Sequence, residues 1–275
     1  MSDADMRQKF QSWEADHLAE GRQYAVDAED GKLYTYPQTV GKKHTPVISK
    51  LTTLGPIDIT KGELGNLYSY YFVGQGKPAR VHYDRLLLSS PEQRCPYCGF
   101  GHVKTLDHYL PKSKYPKYST LISNLVPACN DCNLSAKGST FPGTANGQPI
   151  HPYFGPDELY TTPWLFADII ESDTPHTTYY VSAPYGWDEV NVGRVRAHMS
   201  NFGLYARYSI EADRRISTLR SRNRMFAGTA GPEDIRLLMQ EMLAIEESRA
   251  TNSWETALFR ALYNSDWYCE VGYLL

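Results

Sequence analysis

The sequence predicts an α+β protein, a mostly helical scaffold around one small module that apolar burial alone cannot hold. Three observations lead there. From about residue 200 onward, apolar residues recur at helical spacing. Between residues 94 and 151 apolar runs are short, and Cys, Pro, Gly, Asn and Lys dominate. Four of the five cysteines fall into two identical Cys-x-x-Cys pairs. The 275 residues, 41% of them hydrophobic, suffice for one large or two modest domains and exclude a chain disordered throughout. By pattern and punctuation the chain divides into a mostly helical or irregular region at 1–93, the cysteine module at 94–154, and a mainly helical region at 155–275.

A polar helix is predicted over Met6 to Glu20, followed by turn-rich sequence containing Gly31, Pro37, Gly41 and Pro46. Gly62 to Leu88 suits two short helices, with Leu64, Leu67, Tyr70 and Tyr71 on the first and Val81, Tyr83, Leu86 and Leu87 on the second. Further on, Asn201 is placed to cap a helix whose inward face is Leu204, Tyr208, Ala212, Ile216 and Leu219, ended by Gly228 and Gly231. A second helix starts at Pro232 and carries Ile235, Leu238, Met239, Met242 and Ile245. A third, from about Trp254, carries Ala257, Leu258, Ala261 and Leu262. Such stripes pack cores, and no chemistry is assigned to them.

The net charge of -3 argues against a protein that binds polyanions by bulk charge. The total conceals segregation. Residues 94–151 carry 6 basic and 2 acidic groups and residues 194–227 carry 8 and 2, whereas 152–193 carry 7 acidic groups and no basic one. This is the pattern of a chain that meets a polyanion at a defined place, although ordinary charge fluctuation also accounts for the second segment. No apolar run approaches the roughly 20 residues of a membrane-spanning helix, and the acidic start MSDADMRQKF lacks the apolar core of a signal peptide. The expected location is the cytoplasm, with no membrane partner.

The cysteines form two knuckles, Cys95-Pro96-Tyr97-Cys98 and Cys129-Asn130-Asp131-Cys132. Tetrahedral zinc takes four soft ligands, and a two-residue spacer lets both thiolates of a knuckle reach one ion at ~2.3 Å. Disulfides fit poorly without a signal peptide, and a redox Cys-x-x-Cys fits poorly because the motif occurs twice without a βαβ context. Structural Zn2+ on Cys95, Cys98, Cys129 and Cys132 is therefore expected. Cys269, beside Trp267 and Tyr268, reads as a buried small hydrophobe.

Between and after the knuckles stand Asp107-His108, a mid-segment Asn124, and Asn133 directly behind Cys132. An adjacent Asp-His, a middle Asn and a final Asn at these places closely resemble the HNH, or ββα-metal, endonucleases, in particular the branch whose four-cysteine zinc site brackets the catalytic element. The resemblance covers residues 95 to about 151. Leu106 to Pro116 and His151-Pro152-Tyr153-Phe154 are also similar to HNH proteins of bacterial anti-phage defence loci. No family is identified for the rest of the chain.

The resemblance implies a catalytic role for each landmark. His108 would be the general base, a role imidazole suits because its unperturbed pKa lies near neutrality. Asp107 and Asn133 would ligate a catalytic Mg2+ or Mn2+ through oxygen, and Asn124 would fix the loop that orients His108. Neighbouring strand residues point to opposite faces, so the resemblance also implies a bent or bulged strand at Asp107-His108. Asn124 in its Ser- and Pro-containing setting also reads as an ordinary turn residue. The products implied are 5′-phosphate and 3′-hydroxyl ends of DNA, with RNA not excluded as substrate.

Nucleic-acid contacts are expected from Lys112, Lys114 and Lys117, interleaved with Tyr115 and Tyr118, from Lys137, and from Arg214, Arg215 and Arg222 on the exposed face of the Leu204–Leu219 helix. Each has a plainer alternative: a solvated lysine loop, a charge at a helix C-terminus, or docking on the acidic 152–193 stretch or a partner. Two further functions stand beside the nuclease. One is a non-catalytic zinc module that binds nucleic acid or protein; the other, implied by the defence-locus likeness, is a nuclease effector held silent until a regulatory or sensor protein from the same operon releases it.

Overall fold

The computed structural model of the chain describes residues 3–53, 55–225 and 231–275. It divides into two compact units, Met1–Gly155 and Pro156–Leu275. The N-terminal region and the cysteine segment thus share one unit.

The first unit opens with helix α1, Asp3–Glu29. The predicted Met6–Glu20 helix is longer in the structure because two residues of the added turns, Tyr24 and Ala28, are fully buried and favour continuation. Strands β1 (Pro46–Thr52) and β2 (Gly55–Thr60) form an antiparallel hairpin in what reads as turn-rich sequence. Trp13 of α1 packs with Ile59 and Leu64, and Lys9 pins the helix to Glu63 at 2.8 Å. Helix α2 (Lys61–Asn66) starts in a capping box, with Glu63 N donating to Thr60 Oγ1 at 3.3 Å and Thr60 N to the Glu63 carboxylate at 2.7 Å. It runs into one wide π-type turn, Leu67–Phe72, and helix α3 follows at Arg80–Leu87.

A second hairpin, β3 (Thr105–His108) against β4 (Leu125–Ala128), crosses the middle of this unit. Leu106 and Leu125 form a core cluster with Tyr68 and Phe72 of the π-type turn, onto which Tyr83, Leu86 and Leu87 of α3 pack. Behind β4 a second π-type turn, Asp131–Lys137, closes with Gly138 N donating to the Asn133 carbonyl at 3.2 Å.

The second unit contains helix α4 (Glu158–Thr161), an antiparallel hairpin of β5 (Leu165–Ile170) and β6 (His176–Val181), and helices α5 (Glu189–Asn201), α6 (Leu204–Met225), α7 (Pro232–Arg249) and α8 (Trp254–Asn264). The predicted inward stripe of α6 is buried in full, from Leu204 to Leu219. Asn201, expected as the cap of α6, instead ends α5. Gly203 at φ +60° makes the break between the two helices, a conformation that favours glycine. Gly228 lies outside the described residues. Helix α7 begins at Pro232 behind Gly231, and α8 is capped by Ser253, which accepts from Thr256 N at 3.0 Å. Helix α6 is keyed to β6 by Thr177, whose N–H and hydroxyl both reach Asp213. Cys269 is fully buried. Among the described residues no helix is long and apolar enough to cross a membrane.

Candidate functional site

The four knuckle cysteines are buried free thiols whose sulfurs all lie within 4.8 Å of one another. Cys98 and Cys129 sulfurs are 3.9 Å apart. A tetrahedral ion with ~2.3 Å bonds sets sulfurs about 3.8 Å apart, so the cluster fits zinc in ligand type, number and spacing. Backbone turns build it. Cys98 N and Gly99 N both donate to the Cys95 carbonyl, Gly99 adopts φ +77°, and Gly101 N donates to Cys98 Sγ at 3.4 Å. Gly101 is also a spatial requirement: a Cβ there would sit 2.7 Å from Cys129 Sγ and 2.9 Å from Cys129 Cβ.

Strand β3 carries the Asp-His pair, and the two side chains take opposite faces. Thr105 and Asp107 share one face, toward the Asp131–Lys137 turn; Leu106 and His108 share the other, toward Tyr68. The distortion that the resemblance implies is absent: the ladder from Thr105↔Ala128 to His108↔Leu125 has no register shift, and Tyr109 N continues it to the Asn124 carbonyl. The regular alternation persists because each face has its own partners holding its side chains.

His108, 7% exposed, has Nε2 2.9 Å from the Ser119 carbonyl and its ring 4.3 Å from that of Tyr68. A carbonyl only accepts, so Nε2 carries the proton and Nδ1 holds the basic lone pair. Burial pushes the His108 pKa down to about 3; the Ser119 carbonyl opposes this, and Lys112 and Lys137 add to it. The ring is uncharged near neutral pH, and burial makes it a weaker base than a free imidazole.

Asn124 is fully buried and uses both ends of its amide. Oδ1 accepts from Leu110 N at 2.7 Å and from the Tyr24 hydroxyl at 3.0 Å; Nδ2 donates to the carbonyls of Leu110 and Tyr118. It thus clamps both ends of the loop between the hairpin strands, and Ser119 belongs to that loop. His151 backs the clamp. Its Nδ1 accepts from Tyr153 N at 3.1 Å, which leaves Nε2–H to face the Tyr24 oxygen at 3.3 Å. Burial lowers the His151 pKa to about 3.

Asn133 and Lys137, four residues apart, both face β3. Asn133 Nδ2 donates to Thr105 Oγ1 at 2.8 Å, which turns its oxygen away as the free donor atom. Lys137 is buried, and its Nζ lies 2.9 and 3.2 Å from the two Asp107 oxygens and also bonds the His108 carbonyl. Tyr97 donates its hydroxyl to Asp107 at 2.8 Å. Burial lowers the Lys137 pKa, and Asp107 opposes that shift. An aspartate and an asparagine oxygen suit a hard divalent ion in donor chemistry. Here the carboxylate is covered by the Lys137 ammonium.

The other predicted contacts separate. Lys112 is exposed, with its ammonium 4.7 Å from the Tyr68 ring centre. Lys117 is tied to Glu20 at 2.6 Å, and Lys114 is half-buried. Tyr115, read as a stacking surface, is 2% exposed against Phe141, and Tyr118 is half-buried against Tyr24 and Tyr36. In so polar a segment these rings supply much of the apolar area that folding can remove from water. In the second unit Arg214 and Arg222 are exposed, while Arg215 is half-buried with its guanidinium 5.7 Å from the Phe259 ring. Arg194 and Arg220 of the same basic segment are buried.

Sequence reasoning missed Tyr24, Tyr97 and the Lys137–Asp107 pair. Tyr97 lies inside a knuckle, so its position carried a signal. Nothing in the sequence of α1 distinguishes Tyr24.

Residues 95–138 match the HNH endonuclease family. The chain is similar over 277 aligned residues to protein ea31 of Escherichia phage lambda, at 29% identity, covering 97% of this chain and 91% of that protein. No solved structure matches.

Proposed function

We propose that this chain, whose residues 95–138 are an HNH endonuclease domain, is a metal-dependent nuclease that hydrolyses phosphodiester bonds in DNA. The observation that carries the reading is the HNH match at residues 95–138 together with the fixed geometry of His108, whose Nε2 is held by the Ser119 carbonyl so that its lone pair lies on Nδ1. That nitrogen takes the proton from the attacking water, while the Asn124 clamp keeps the ring in place. Asp107 and Asn133 would hold the divalent ion, Mg2+ or Mn2+, supplying positive charge at the scissile phosphate and the departing oxygen; because Asp107 and His108 take opposite faces of the regular β3 ladder, this arrangement requires β3 to bend in the complex. Cys95, Cys98, Cys129 and Cys132 would hold a structural zinc that ties together the segments flanking β3 and β4, outside the reacting atoms.

Lys112, Lys114 and Lys117 around the loop, and Arg214, Arg215 and Arg222 on α6, are assigned to the backbone phosphates of the substrate. In the cytoplasm such a nuclease serves as an effector of anti-phage defence released by a partner from its own operon. That role rests only on the resemblance of Leu106–Pro116 and His151–Phe154 to HNH proteins of such loci; the similar protein ea31 is a protein of Escherichia phage lambda.

The test is plasmid cleavage with Mg2+ or Mn2+ by the zinc-loaded chain and by His108→Ala, with an RNA substrate in parallel. Ion-dependent nicking that disappears in the variant supports the reading; full nicking by the variant removes His108 as the base. A second reading, a zinc module that binds nucleic acid without cutting it, is favoured by the closed Asp107–Lys137 pair. It predicts binding and no cleavage with any divalent ion.

A further inference from the structure

The nuclease reading treats Asp107 as an ion ligand, yet in this structure the carboxylate already has a cation. Lys137 Nζ lies 2.9 Å from one Asp107 oxygen and 3.2 Å from the other, so it faces both acceptors. Side-chain exposures of 5% and 4% leave neither group to water. Among the described residues, the Asp107 carboxylate is the acidic side chain that pairs with Lys137. A divalent ion on Asp107 would face this ammonium across one carboxylate in a water-poor site, where repulsion is weakly screened. A lysine so displaced also loses its anion, and a buried ammonium without one is costly.

We infer that Lys137 exchanges partners, from Asp107 in the free protein to a substrate phosphate in the complex, so that the divalent ion and the nucleic acid bind cooperatively. The inference rests on the nuclease reading and adds a rule to it. The phosphodiester supplies the anion that lets Lys137 leave, and the ion takes the carboxylate that Lys137 gives up. By linkage, whatever factor the nucleic acid adds to ion affinity, the ion adds to nucleic-acid affinity. Lys137 lies four residues beyond Asn133 on the same short segment, so both groups act on the same face of β3. The result is a nuclease that holds little catalytic metal until substrate is in place.

The experiment is Mn2+ binding followed by electron paramagnetic resonance of the free ion, on zinc-loaded full-length protein in a His108→Ala background that leaves DNA uncut. For that protein a DNA duplex should tighten Mn2+ binding at least tenfold. Adding Lys137→Met should tighten Mn2+ binding tenfold or more without DNA and abolish the further gain from DNA. Lys137→Arg should retain weak binding, and Asp107→Asn should lose it in every arm. Zinc content and thermal unfolding verify that each variant is folded. A DNA-free Mn2+ affinity that Lys137→Met leaves equal to that of the background overturns the exchange. If no nucleic acid binds, the nuclease reading fails, while the DNA-free arms still decide whether Lys137 competes with the ion.

Discussion

Tyr24 and Asn124, a hundred residues apart in sequence, share a buried hydrogen bond of 3.0 Å. Through it helix α1 supports the loop that carries Ser119, and so the ring of His108. The N-terminal region is therefore part of the site's support, and the family match at 95–138 contains only some of what holds the site in place.

Tyr24→Phe removes the hydroxyl and little volume. Asn124 keeps its bond from Leu110 N, but the oxygen that faces His151 Nε2 is lost. The expected cost is about 0.5–1.5 kcal/mol of stability, the range for losing one hydrogen bond whose partners keep others. Urea unfolding measures it. Asn124→Ala, which cuts four bonds, should cost more than Tyr24→Phe, and the reverse order would show that Asn124 does not anchor the loop.

Gly101→Ala tests the zinc site without touching a ligand. The added methyl must displace Cys129, whose Sγ and Cβ lie 2.7 and 2.9 Å from it. Zinc content by atomic absorption should fall below one ion per chain, with earlier loss to a chelator. Gly99→Ala offers a comparison, since a Cβ there meets no atom and only the positive φ is strained. Its effect should be the smaller.

Acid should destabilise the first unit. His108 and His151 are both held near a pKa of about 3 by burial, against 6.5 in water. Between those values the unfolded chain binds more protons, so this contribution is complete above about pH 6.5 and declines as the pH falls toward 3. Well below 6.5 the slope approaches ~1.4 kcal/mol per pH unit for each histidine. Unfolding of zinc-loaded wild type and His151→Gln between pH 7.5 and 5 checks this, because any loss of zinc is common to both. The variant should show the shallower decline; parallel curves would mean that His151 is not buried neutral.

The chemistry-bearing landmarks were legible because their spacing is local. Two Cys-x-x-Cys knuckles close on backbone turns of a few residues, and Asp107-His108 lies on a four-residue strand. The α6 stripe was legible for the same reason, since helical periodicity is a property of neighbours. The hairpins at 46–60 and 165–181 were not, because a strand's burial depends on what packs against it. Tyr115 and Tyr118 show the limit well: beside lysines they read as a nucleic-acid surface, and the fold buries Tyr115 and half-buries Tyr118 against Tyr24 and Tyr36.

What the sequence by itself determined is the inventory: four cysteines spaced to share one ion, an Asp-His pair and two asparagines at the HNH landmarks, and the inward stripe of α6. Tertiary structure alone decided the partnerships. Lys137, expected at a phosphate, is paired with Asp107 in this structure, and Tyr24 supports Asn124. Both outcomes follow from burial, since a charged or polar group taken out of water must find a partner, and which partner is near is settled by chain segments far apart in sequence.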